Sequence, residues 1–136
     1  MIETAAEFVR LRLSQNRNEY LRAANEQATE EIWIEVIEKY PDMKKWVAHN
    51  KTIPKKILEI LSNDIDSQVR HMVATRRSAG EEILDKLATD PDETVRMRVA
   101  CNPKVTEKIL LKLLHDEWKR ISEIAQMKLE RLKEHT

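Results

Sequence analysis

Glycine is almost absent from this chain: Gly80 stands alone among 136 residues, with four prolines. That leaves little room for tight hairpins and none for the Gly-rich loops, GxGxxG or GxxxxGK[ST], that cradle phosphates. The single cysteine, Cys101, excludes an internal disulfide framework. No apolar run approaches the roughly 18–20 residues that span a bilayer. The opening Met1-Ile2-Glu3-Thr4-Ala5-Ala6-Glu7 brings acids early and lacks the basic-then-apolar order of a secretory signal. Cytoplasm is therefore the expected compartment.

Net charge is also absent, with 24 acids against 24 bases, but the balance is uneven along the chain. Residues 1–42 hold nine acids and five bases, and residues 43–136 hold 15 acids and 19 bases. An acidic front and a mildly basic remainder could steer a partner, or could be ordinary solvated helix faces. Charged residues make up 35% of the sequence, and Ile, Leu, Val and Ala recur at helical spacing. An all-α fold is the reading these two features favour.

What the chain does have is self-similarity. Val47-Ala48 recurs as Val73-Ala74 and Val99-Ala100, Ile57-Leu58 as Ile83-Leu84 and Ile109-Leu110, and Asp64 as Asp90 and Asp116, each at an offset of 26 residues. A fixed period of about 20–50 residues marks a solenoid, in which each unit buries its apolar face on the next. The order Val69-Arg70-His71-Met72-Val73-Ala74, Ile83-Leu84-Asp85-Lys86-Leu87-Ala88-Thr89-Asp90-Pro91-Asp92, Val95-Arg96 resembles leucine-rich repeat variant units, short relatives of HEAT-type repeats, over roughly residues 43–125. The resemblance implies a right-handed all-helical α-solenoid with a short and a long helix per unit. Some relatives carry a cysteine-ligated iron–sulfur module, which one cysteine cannot supply. No cofactor is expected.

Taken in order, residues 1–42 read as an N-terminal cap, 43–116 as repeats and 117–136 as a C-terminal capping helix, all one domain. The spacing predicts a helix over 3–14 with Phe8, Val9 and Leu13 inward, then one with Tyr20, Leu21 and Ala24 on one side. Thr29 is a good N-cap for a helix over 30–40 that buries Ile32, Trp33, Val36, Ile37 and Tyr40, with Glu31, Glu35 and Glu38 on its other side. Met43 and Lys44 stand where later units have Val and Arg. Short helices (43–49, 67–75, 93–101) are expected to alternate with longer ones (54–62, 80–89, 105–115). Asp66 and Asp92 should cap short helices, Thr52 precedes Pro54 near a helix start, and Ser78 with Glu81 fits a capping box. Trp118 breaks the Asp66/Asp92 phase, and from Glu117 to about Glu134 the pattern is one amphipathic helix, with Ile121, Ile124, Ala125, Lys128, Leu129 and Leu132 as its inner stripe.

Few residues promise chemistry. Asp90-Pro91-Asp92 and Asp64-Ile65-Asp66 resemble paired carboxylates, but each recurs in phase and precedes Arg70 or Arg96, which fits caps and an Asp–Arg ladder between stacked units. His49 and Cys101 share a repeat position two units apart, on the order of 20 Å at helix-packing distances, so zinc cannot bridge them. His71 and His115 occupy other phases, and His135 lies in the tail. No nucleophile has a base beside it, so an enzyme is disfavoured.

Two surfaces remain as partner-binding candidates. One is a corner row of Asn50-Lys51, Arg76-Arg77 and Asn102 with Lys104, beside the shared position of Trp46, Met72 and Arg98. Arg, Trp and Met are interface types, though Trp46 and Met72 could equally be core with Arg98 reaching past them. The other is the acidic face of Glu31, Glu35 and Glu38. Short bacterial-looking solenoids of this kind serve as inhibitors or adaptors. The expected function is therefore a non-enzymatic protein-binding module, in its concrete form an immunity protein that neutralises a basic toxin or enzyme. Nucleic-acid binding by the basic corners is the alternative, with a regulatory adaptor as the third reading.

Overall fold

The computed structural model describes residues 1–134, so His135 lies outside the described residues. Their regular structure is helical throughout, and no strand occurs among them. The chain divides into two compact units, Met1–Asp64 and Ile65–Thr136.

The first unit holds α1 (Ala5–Leu13), α2 (Arg17–Asn25), α3 (Glu30–Lys39), α4 (Lys44–His49) and α5 (Lys55–Leu61), with a 3-10 turn at Pro41–Met43. The hydroxyls of Thr4 and Thr29 and the amide oxygen of Asn16 accept from the first-turn N–H groups of α1, α3 and α2, each cap contributing about 1 kcal/mol. The core runs through Ile2, Phe8, Leu11, Trp33, Val36, Ile57, Leu58 and Leu61. Phe8 and Trp33 meet edge to face, with centroids 5.1 Å apart. The expected inward set of the first two helices needs correcting. Leu13 and Leu21 are exposed, and Leu11 and Ala23 are buried instead. Only Trp33 and Val36 of the α3 stripe are fully buried.

The second unit holds α6 (Ser67–Thr75), α7 (Gly80–Leu87), α8 (Glu93–Cys101), α9 (Glu107–Leu113) and α10 (Lys119–Glu134). Helices α6, α8 and α10 pack on one another in sequence, and α7 and α9 pack beside them as a second layer. Val73, Leu84, Val95, Val99, Ile109 and Ile121 are wholly buried between the layers. Truncating a leucine there costs about 2–5 kcal/mol.

Asp66 and Asp92 cap α6 and α8, accepting from the N–H groups of Gln68 and Thr94. The ladder is present too. Arg70 Nε donates to Asp90 at 2.7 Å, and Arg96 Nε to Asp116 at 2.7 Å. In the first unit Lys44, at the arginine position, reaches Asp64 at 2.9 Å. Asp90 and Asp116 also accept from the N–H of Asp92 and Trp118, so each ladder acid fixes the turn before the next helix as well.

Three local expectations differ. The two helices of a repeat have similar lengths: α6 and α8 span nine residues, while α5, α7 and α9 span seven, eight and seven. After α9, Leu114 extends the apolar pattern without extending the helix. Ser78 and Glu81 form no capping box. A 3-10 turn at Arg77–Ala79 leads into Gly80 at φ 85°, where a Cβ would clash, so the backbone geometry replaces the side-chain cap. Thr52 caps no helix either. Its hydroxyl lies 2.6 Å from Asn50 Oδ1 and 3.3 Å from the Glu26 carbonyl, with one proton to share between them.

Candidate functional site

The corner row is not the surface that its spacing implies. Asn50 and Asn102 are 1% and 2% exposed. Asn50 Nδ2 donates to the carbonyls of Ala23 (2.8 Å) and Glu26 (3.0 Å), and its Oδ1 accepts from Thr52 N–H. Asn102 repeats this with the carbonyls of Ala74 (2.8 Å) and Arg76 (3.0 Å) and with Lys104 N–H. These amides close corners onto the preceding repeat and are not available to a ligand. Lys128, at the same repeat position as Asn102, reaches the Asn102 carbonyl at 3.5 Å.

The bases of the row disperse. Lys51, Arg77 and Lys104 are exposed, and Arg76 is half-buried, with burial pushing its guanidinium pKa down. Arg98 is exposed but donates through Nε to His71 Nε2 at 3.0 Å. Burial, then the neighbouring Arg98 charge, lower the His71 pKa, against a smaller opposing pull from Asp92. Met72 is half-buried with its sulfur 3.7 Å from Thr75 Oγ1. Of the acidic face, Glu31 and Glu38 are exposed, while Glu35 accepts from Lys39 at 2.8 Å, which raises the lysine's pKa.

In the first unit Trp46 gathers two cations and a second ring around its indole. The Arg12 guanidinium carbon sits 3.4 Å from the Trp46 ring centroid and 4.6 Å from that of Tyr20. His49 stands edge-on to the indole at 5.8 Å, and Lys45 Nζ lies 5.3 Å from its centroid. Arg12 Nε is buried and has no hydrogen-bond partner among the described residues. Three other cations of this unit pair with acids: Arg10 with Glu19, Arg22 with Glu26 and Lys44 with Asp64. Glu26 receives the chain's terminal amine as well, and the hydrogen bond from Arg22 leads in lowering its pKa to about 2. Arg12 is thus held over two rings, with its Nε out of solvent and without a hydrogen bond.

Spacing alone gave no role to Arg12, and it put Tyr20 only on a helix side. One signal was available. Arg12 follows Phe8 by four residues, so a cation stands on the buried stripe of α1. A charge in that place needs a partner.

Alongside this geometry stands a family match. Residues 68–92 match the leucine rich repeat variant family. The stretch is one repeat's worth, running from α6 through α7 to the α8 cap, and it contains both Arg70 and Asp90 of the ladder. No curated protein and no solved structure matches the chain significantly. The matched stretch takes in Met72, Arg76 and Arg77 but not the Arg12–Trp46 cluster. Among the described residues no group of three or more His, Cys, Asp or Glu could hold a metal ion, and no helix is long and apolar enough to cross a membrane.

Proposed function

We propose that this chain is a non-catalytic, cytoplasmic protein-binding module whose contact centre in the first unit is the stacked Arg12, Tyr20 and Trp46. The observation that carries the reading is the guanidinium held 3.4 Å over Trp46 and 4.6 Å over Tyr20. Arg, Trp and Tyr are the residue types most concentrated in interface hot spots. Stacking on two rings removes most of the rotamer freedom that a partner would otherwise have to freeze. The planar fork then suits a carboxylate of the partner, an Asp, a Glu or a chain terminus, approached in its plane. The repeat match supports a scaffold for such contacts, while the contacts themselves come from the grafted residues.

The narrower reading, an immunity-type inhibitor that meets a basic toxin or enzyme through Glu31, Glu35 and Glu38, draws support from the exposure of Glu31 and Glu38. It is weakened by the Lys39 pairing of Glu35. Capture from the native lysate separates these readings. A stoichiometric protein that survives nuclease treatment and is lost with Arg12→Gln is the expected result. Loss with Glu31→Lys and Glu38→Lys instead would move the contact to the acidic face. Material that vanishes after nuclease treatment, or no retained protein, would overturn the proposal.

A further inference from the structure

Helices α6 and α8 each end at a corner. Arg76 and Asn102 follow Thr75 and Cys101 in extended conformation, and the chain changes direction there. Lys128 stands 26 residues after Asn102, yet α10 runs straight through it to Glu134. A straight helix cannot follow the path of a corner. Where the next corner would pack against the one at Asn102, a cavity of about 290 Å³ is left instead. Pro103 and Val105 line it from the corner, Leu110 from α9, and Lys128, Arg131 and Leu132 from α10.

This cavity carries two cations, and no acid lines it among the described residues. The groove between α9 and α10, which shares Leu132 with it, is different: Glu107 and Glu130 stand there with Lys133. Lys128 is half-buried, and its amine reaches the Asn102 carbonyl only at 3.5 Å. Burial pushes its pKa down; the Cys101 thiol opposes that, and the Arg131 cation adds to it. Lys112 and Lys119 of the same unit pair with Asp85 and Glu123, whereas neither Lys128 nor Arg131 pairs with an acid among the described residues. A charge drawn partly out of water without a counter-charge is unfavourable, and an anion in the cavity would supply one. Positions three apart on a helix share a face, so both cations can meet the same group.

We propose that this cavity binds a short aliphatic carboxylate, with its acid group between Lys128 and Arg131 and its chain against Val105, Leu110 and Leu132. The Arg131 fork matches the two carboxylate oxygens, and Lys128 adds a point charge. At about 30 Å³ for each water-sized group, the volume holds about ten non-hydrogen atoms, the size of an acid of about six to eight carbons. The site lies wholly in the second unit and uses none of the Arg12, Tyr20 and Trp46 cluster, so either reading can fail without the other.

Titrating hexanoate into the full chain to about 10 mM, followed by amide NMR, tests this. Saturable shifts are expected at Val105, Leu110 and Leu132. Acetate keeps the charge without the chain, and hexanol keeps the chain without the charge; each should bind at least about tenfold more weakly than hexanoate. Lys128→Met and Arg131→Gln should each weaken hexanoate at least about tenfold. Arg131 is exposed, so its variant probes the site with the packing of α10 intact. No saturable shift at those amides, acetate or hexanol binding as tightly as hexanoate, or an affinity that neither substitution lowers would overturn the proposal.

Discussion

Replacing Asn102 by alanine removes three hydrogen bonds at a position 2% exposed: two donated to the Ala74 and Arg76 carbonyls and one accepted from Lys104 N–H. At about 1 kcal/mol net per bond the loss is about 3 kcal/mol, with two carbonyls and one N–H left short of partners. That is a large fraction of the stability of a small domain. Urea unfolding followed by far-UV circular dichroism should show a lower midpoint with an unchanged slope, because the exposed area on unfolding is the same. Asn102→Asp is the sharper variant. It keeps the acceptor for Lys104 but turns both donors into a carboxylate facing two carbonyl oxygens. Its loss should exceed that of alanine at neutral pH and shrink in acid, where a protonated carboxyl can donate once more. An alanine variant that loses less than about 1 kcal/mol would refute the reasoning, as would an aspartate variant as stable as the native chain at pH 7.

Two further outcomes follow from local geometry. Gly80→Ala places a Cβ at φ 85° and should cost about 1–3 kcal/mol, read as a drop in thermal midpoint; an unchanged midpoint would mean that the turn relaxes freely. Arg98→Ala removes the second cause of the lowered His71 pKa while burial, the first, stays, so the imidazole titration followed by NMR should move up toward its ordinary value. Because the native His71 is depressed, its share of stability is complete above its unfolded value and is lost as pH falls through the folded one; in the variant the two values lie closer together, so the loss should be smaller and end at higher pH, and a titration that stays put would exclude an influence of Arg98.

Much of the scaffold was legible because it repeats. Arg70, Arg96, Asp90 and Asp116 announced a ladder by recurring in phase, and Thr29, Asp66 and Asp92 announced helix starts by chemistry that acts over two or three residues. Helix lengths were less legible: α9 stops at Leu113 although the apolar pattern runs on, because burial and not pattern ends it. Asn50 and Asn102 were misread for a related reason. An amide at a corner has the composition of a solvent-facing loop, and only the carbonyls it meets 24 to 28 residues back reveal that it is buried. The Arg12–Trp46 stack joins residues from different helices that share no repeat position, so no period could have paired them. Of the leucines along the groove between α9 and α10, Leu129 and Leu132 were expected on the inner stripe of the last helix, but Leu132 is exposed and only Ile121 and Ala125 of that stripe are buried.

The ladder also bears on how the chain reaches this state. Lys44–Asp64, Arg70–Asp90 and Arg96–Asp116 each close a span of 20 residues, and the asparagine links close 24 to 28. Loop-closure entropy depends only on the logarithm of span, so these closures are similar in cost and none waits on a distant strand. A topology of such low contact order belongs with the fast helical folders, in the microsecond-to-millisecond range. Structure in each unit can begin at any helix pair and spread to its neighbour, with the arginine of one repeat setting the turn from which the next grows.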